Sequence, residues 1–133
     1  LAAAQQAVLA FQQLPPSAPK TFIYTGNILN TITMAPLLSI GVGKAATAHI
    51  IQSAAAAYQD LGFRYVFLTD GEECGKLTGC RFYYADERKV DGSAAYFDID
   101  GEAHGSFYVQ LAEGGEQRVW LQTFVKGVGY KKF

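Results

Sequence analysis

The side chains able to move a proton, polarise a carbonyl or hold a metal fall into few places in this chain. Lys44 ends the run Gly41-Val42-Gly43-Lys44 inside an Ala-rich stretch. A lysine there more often carries its charge out to water along its own stem than takes part in catalysis. Asn27 follows Thr25-Gly26 at the end of an aromatic run, where Gly26-Asn27 marks a turn. Asp86, Glu87 and Arg88, with Asp91 near, resemble an acid/base or metal cluster, and Glu102 with His104 resembles a proton-handling pair. Each also has a plain structural reading. Neighbours on a strand face opposite ways, so Asp86 and Glu87 are expected apart, with Arg88 as the partner of a carboxylate. Asp100-Gly101-Glu102 reads as a helix cap with favourable charge in the first turn. His49, five residues after Lys44, points about 140° further round a helix, which suits an interface or partly buried histidine rather than a shared site.

Other chemistries find less support. Cys74 and Cys80 lie in one Gly-rich loop, where free thiols are expected ahead of a disulfide, and His49 and His104 lie in other segments, so no metal site is expected. There is no Gly-x-Ser-x-Gly elbow for a serine hydrolase. Gly41-Val42-Gly43-Lys44 is the only glycine cluster near a helix start, and it follows the wrong element for a pyrophosphate loop.

The elements that must position these groups alternate between helix and strand. Residues 2–14 are good helix formers, with Ala3, Ala7, Ala10, Phe11 and Leu14 at helical spacing, and Pro15-Pro16 stops them. Thr21 to Thr25 is rich in β-branched and aromatic residues and reads as a buried strand ending at Gly26-Asn27. A long Ala-rich helix is predicted over 36–60, entered through Pro36, with Gly62 just past its end. Phe63 to Thr69 and Arg81 to Ala85 are strand candidates, a short helix runs from Asp100 to Glu113, and Trp120 to Val125 is the last strand before the tail KGVGYKKF. The aromatic set Phe82, Tyr83, Tyr84, Tyr96, Phe97, Phe107, Tyr108, Trp120 and Phe124 is expected to be mostly core. A helix feeding a buried strand predicts an α/β domain with a mostly parallel sheet.

Bulk composition agrees with one packed domain. The chain has 133 residues, half of them hydrophobic, 17% charged, with a net charge of -1. That charge leaves no footprint for nucleic acid or an anionic membrane, and the longest apolar run is broken by Lys44, His49 and Gln52, short of the roughly 20 residues that span a bilayer. A soluble protein is expected, with a cytoplasmic location favoured. Leu1-Ala2-Ala3-Ala4 resembles neither a signal peptide nor a translation start, so residues upstream are expected.

Five blocks in order, Phe22 to Asn27 (FIYTGN), Gly41 to Ile51 (GVGKAATAHII), Arg81 to Arg88 (RFYYADER), Asp100 to His104 (DGEAH) and Thr123 to Tyr130 (TFVKGVGY), give a resemblance that covers most of the chain. It resembles the C-terminal half of a divergent short-chain dehydrogenase/reductase. The resemblance implies a partial Rossmann-like, three-layer α/β fold. It also implies a catalytic Tyr–Lys–Ser set, in which the Tyr exchanges the substrate proton, the Lys lowers the Tyr pKa and holds the nicotinamide ribose, and the Ser orients the carbonyl. Matching Lys44 to the family Lys puts Ile40 at the Tyr position and Asn27 at the Ser position, so Lys44 and Asn27 are the expected catalytic residues, with Lys44 also the cofactor contact. An aliphatic Ile40 cannot exchange a proton. The family's Pro-Gly turn appears here as Asp86-Glu87-Arg88.

The family's Gly-rich phosphate loop belongs to segments before those present, so NADP or NAD is implied by resemblance but not expected to bind this chain alone. Helices 2–14 and 36–60 are the two that pair across the family's dimer, so a homodimer is expected. Gly62-Phe63-Arg64-Tyr65 nearly copies Gly79-Cys80-Arg81-Phe82-Tyr83, which suggests an insertion over about 65–80 from partial duplication or retained intron sequence. Two functions follow: a truncated oxidoreductase not competent alone, or a non-catalytic, self-associating binding protein, even a bioactive one, on the same scaffold.

Overall fold

The structure is a computed structural model that describes residues 1–59 and 79–133. The expected stop at Asp60-Leu61-Gly62, the strand Phe63 to Thr69, Cys74 and most of the 65–80 insertion lie outside the described residues.

Helix α1 (Ala2–Gln12) is built from strong helix formers and ends ahead of Pro15-Pro16. Its inward face is Ala4 and Val8, with Phe11 packed on the same core, while Leu14 is exposed beyond its end. Of the row Ala3, Ala7, Ala10, Phe11 and Leu14 expected from spacing, only Phe11 packs on that core. Alanines gain little by burial, and the helix turns instead toward the larger Val8 and Phe11.

The sheet has the order β1-β2-β3-β4, formed by β1 (Lys20–Thr25), β2 (Cys80–Glu87), β3 (Leu121–Val125) and β4 (Gly129–Tyr130). The first three strands are parallel, with Lys20 opposite Cys80 and Tyr84 opposite Leu121, and β4 turns back antiparallel onto β3. The tail therefore carries a strand that its sequence did not suggest. Gly127 and Gly129 take φ of 72° and 91° there, a conformation glycine adopts without penalty.

Helix α2 (Leu38–Gln59), preceded by a single 3-10 turn at Ala35–Leu37, packs with α1 on one face of the sheet. Helix α3 (Gly101–Glu113) covers the other face, capped by Asp100, whose Oδ1 accepts the Ala103 N–H at 2.9 Å. The three layers bury all eight residues of β2. Phe82 and Tyr84 face α1 and α2, where Tyr58 stacks on Phe82 at 5.3 Å and Trp120 meets Tyr84 edge-on at 6.4 Å. Tyr83 and Ala85 face α3, beside Phe107 stacked on Phe124 at 4.4 Å. Among the described residues β1 is an edge strand, half-buried over residues 21–24 and exposed at Thr25, so the expected buried strand is a partly exposed one. Gln117 finishes the start of β2: its Oε1 accepts the Phe82 N–H at 2.7 Å and its Nε2 donates to the Phe82 carbonyl at 3.2 Å. This is a partly Rossmann-like α/β fold with a mostly parallel sheet. Among the described residues no helix is long and apolar enough to cross a membrane.

Candidate active site

An apolar cleft of about 380 Å³ opens where β1 and β2 end, lined among others by Asn27, Ile40, Glu87, Tyr96, Phe97 and His104. The C-terminal ends of parallel strands are where such sheets leave room for ligands, because the chain there departs toward opposite faces. Tyr96 and Phe97, expected in the core, are exposed on a single 3-10 turn at the cleft, where Tyr96 has a φ of 50°.

Asn27 is placed by a close approach of β2. Tyr84 passes so near Gly26 that no side chain fits there, and its hydroxyl donates to the Asn27 carbonyl at 3.0 Å while accepting the Asn27 N–H at 3.1 Å. Burial pushes the Tyr84 hydroxyl up to about 12, partly offset by its bond to the Asn27 backbone, so it stays protonated as a donor. Asn27 Oδ1 accepts the Leu29 N–H at 3.1 Å. The remaining group of the carboxamide is the donor Nδ2.

Lys44 Nζ donates to the Tyr24 hydroxyl at 3.2 Å, reaches the Thr25 carbonyl at 3.5 Å, and lies 4.9 Å from the centre of the Tyr24 ring. It stands one turn after Ile40, on the same side of α2. Ile40 lines the cleft, whereas Lys44 rests against the end of β1 beside it. Gly41 and Gly43 are inside α2, and a Cβ at either would meet nothing. A phosphate cradle needs backbone N–H groups turned to the ligand and glycine where a Cβ would intrude, and neither condition holds here.

The acidic residues divide as strand geometry requires. Asp86 pairs with Arg88, whose Nε donates to Asp86 Oδ2 at 2.6 Å, and both are buried. Burial raises the Asp86 carboxyl above its ordinary range even though Arg88 pulls it down. Glu87 faces α3, where its Oε2 accepts the Asp100 N–H at 2.8 Å and lies 3.3 Å from His104 Nδ1. Of the two readings of Asp100 to His104, the helix cap forms, with Glu102 in the first turn, and the pairing of Glu102 with His104 does not. Glu102 is exposed, and His104 turns inward against Phe124, at 5.0 Å between rings, to meet Glu87 instead. Asp91 closes a turn by accepting the Ser93 N–H at 2.9 Å. His49 is exposed on α2. Among the described residues no three His, Cys, Asp or Glu converge as metal ligands.

Over 131 residues, 98% of its length, the chain is 42% identical to the short chain dehydrogenase/reductase dmxR12 of Cryptosporiopsis sp. (strain 8999). The similarity to a short-chain dehydrogenase/reductase thus runs along almost the whole chain. The chain spans 46% of that relative's length. No family model matches the chain, and no solved structure matches it.

The cleft brings together Asn27 and Ile40, which the resemblance sets at the family's Ser and Tyr positions, with Lys44 alongside. The Glu87–His104 pair and the Tyr84 clamp on Asn27 were missed from sequence. Each joins residues from different elements, 17 positions apart for the first and 57 for the second, and no local spacing carries such a signal. For Tyr84 the adjacent clue was Gly26, whose bareness marks a close approach without saying by what.

Proposed function

We propose that this chain is the substrate-side, C-terminal half of a short-chain dehydrogenase/reductase-type protein, and that it does not reduce carbonyls through the family's Tyr. The observation that carries this reading is Ile40 lining the cleft beside Asn27, where the proton donor would stand. Asn27 Nδ2 orients a carbonyl oxygen in the cleft. Lys44 is the residue that would hold the ribose of NADP or NAD, and the bound nicotinamide would supply hydride. The described residues fit only that end of the cofactor, because the glycines beside Lys44 form no phosphate cradle. Titrating the chain with NADPH is expected to show no binding tighter than about millimolar, some 4 kcal/mol. Joined behind the N-terminal half of dmxR12, it is expected to bind NADPH and to gain carbonyl reduction about 100-fold or more on Ile40→Tyr. Tight binding by the chain alone, or equal turnover with and without Ile40→Tyr, overturns the reading.

A second reading, a non-catalytic protein that self-associates on this scaffold, is favoured by the outward side of α2, where Leu38, Val42, Ala45, Ala46 and His49 are exposed together. We propose a homodimer through helices 2–14 and 36–60. Sedimentation at micromolar concentration is expected to give twice the chain mass; a monomer sinks this proposal.

A further inference from the structure

We propose that His104, oriented by Glu87, is a proton-transfer residue of the cleft, acting on an apolar or aromatic ketone by taking and returning a proton at the carbon next to the carbonyl.

The geometry assigns each part. His104 Nδ1 lies 2.8 Å from the Asp100 carbonyl and 3.3 Å from Glu87 Oε2. A carbonyl can only accept, so Nδ1 carries the hydrogen and the neutral ring keeps its lone pair on Nε2. The carboxylate behind Nδ1 holds that tautomer and stabilises the imidazolium that forms when Nε2 takes a proton. The Glu87 side chain is only 3% exposed and that of His104 12%, so the pair acts where water screens it little. The same cleft is walled by Ile28, Met34, Leu37 and Ile99 and holds Asn27, which makes its occupant an apolar molecule with one carbonyl.

In the step, the lone pair of Nε2 takes the α-proton. The C–H electron pair forms the carbon–carbon double bond of an enolate, the carbonyl pair moves onto oxygen, and Asn27 Nδ2 donates to that oxygen. Return of the proton, to the same or the conjugated carbon, restores the neutral imidazole. No electrons leave the substrate, so no nicotinamide is needed. The proposal rests on the cleft being the substrate side of the fold but not on cofactor binding, so the two fail separately.

The test follows deuterium uptake at the α-carbon of 2-tetralone in D2O by NMR, with the whole chain and no cofactor. Exchange is expected about 100-fold above equimolar imidazole at the same pH, at background for His104→Gln, and unchanged for Glu113→Gln, exposed at the far end of α3. Glu87→Gln is expected to slow exchange about tenfold and to move the pH of its half-maximal rate. The other titratable and charged groups around the ring are Asp86 on β2, Tyr108 on α3, and Asp100 paired with Lys126 at 2.5 Å after β3. Melting curves check folding, and should His104→Gln not fold, the pH profile of Glu87→Gln decides. Exchange at the imidazole background, insensitivity to His104→Gln in a folded protein, or an unmoved profile in Glu87→Gln overturns the proposal.

Discussion

Replacing Gly26 with Ala is expected to cost about 3 kcal/mol, the upper end of what overpacking does in a dense core, read as a lower urea midpoint. The added Cβ would fall inside the Tyr84 ring. That ring cannot retreat: it is fully buried, lies 5.5 Å from Tyr24 and 6.4 Å from Trp120, and is pinned through its hydroxyl to both backbone groups of Asn27. The strain therefore passes to the loop that carries Asn27 into the cleft. A double-mutant cycle isolates the cause, since Gly26→Ala should cost far less in a Tyr84→Ala background than in the wild type. An equal cost in both backgrounds would show that Tyr84 is not what requires the glycine. Tyr84→Phe keeps the ring and strands the two Asn27 backbone groups, for a smaller loss of about 1–2 kcal/mol.

The second large effect is expected from Arg88→Leu, at about 3–5 kcal/mol near neutral pH, because removing one partner leaves the other charge buried and uncompensated. Arg88 makes three contacts, two to Asp86 and one from its guanidinium to the Gly92 carbonyl at 3.0 Å. Its loss should also make stability depend on pH in a defined direction. The native Asp86 carboxyl already holds its proton to higher pH than in the unfolded chain, because burial outweighs Arg88. Without Arg88 the native pKa rises further. A group whose folded pKa is raised contributes its stability fully below the unfolded value, about 3.9, and loses it as pH rises through the folded value. The deficit of Arg88→Leu relative to wild type should therefore shrink on acidification from pH 7 toward pH 4, and Asp86→Asn in the same background should remove most of its pH dependence. A deficit constant across that range would mean that Asp86 is not the stranded charge.

Much of the architecture was legible along the chain. Pro15-Pro16, Gly26-Asn27 and the Asp100 cap punctuate the elements through local backbone chemistry, which depends on neighbours in sequence and so can be read there. Dense β-branched and aromatic runs marked β1, β2 and β3 for the same reason. Less legible were matters of degree: which side of α1 turns inward, and whether β1 is covered. Both depend on which larger surfaces happen to face the element.

For the site, the inventory can be read along the chain: Lys44, Asn27, an Ile40 that cannot exchange a proton, and a pair of acidic residues on a strand that must face opposite ways. Those follow from residue type and from the two-residue period of a strand. Which groups meet depends on how distant elements pack. That packing set Asn27 and Ile40 on one cleft, turned Lys44 to the end of β1, and gave His104 to Glu87 rather than to Glu102. The physical reason is that a buried carboxylate must find hydrogen bonds wherever the fold supplies them. For Glu87 these came from the Asp100 N–H and His104, at the start of the helix packed against its strand.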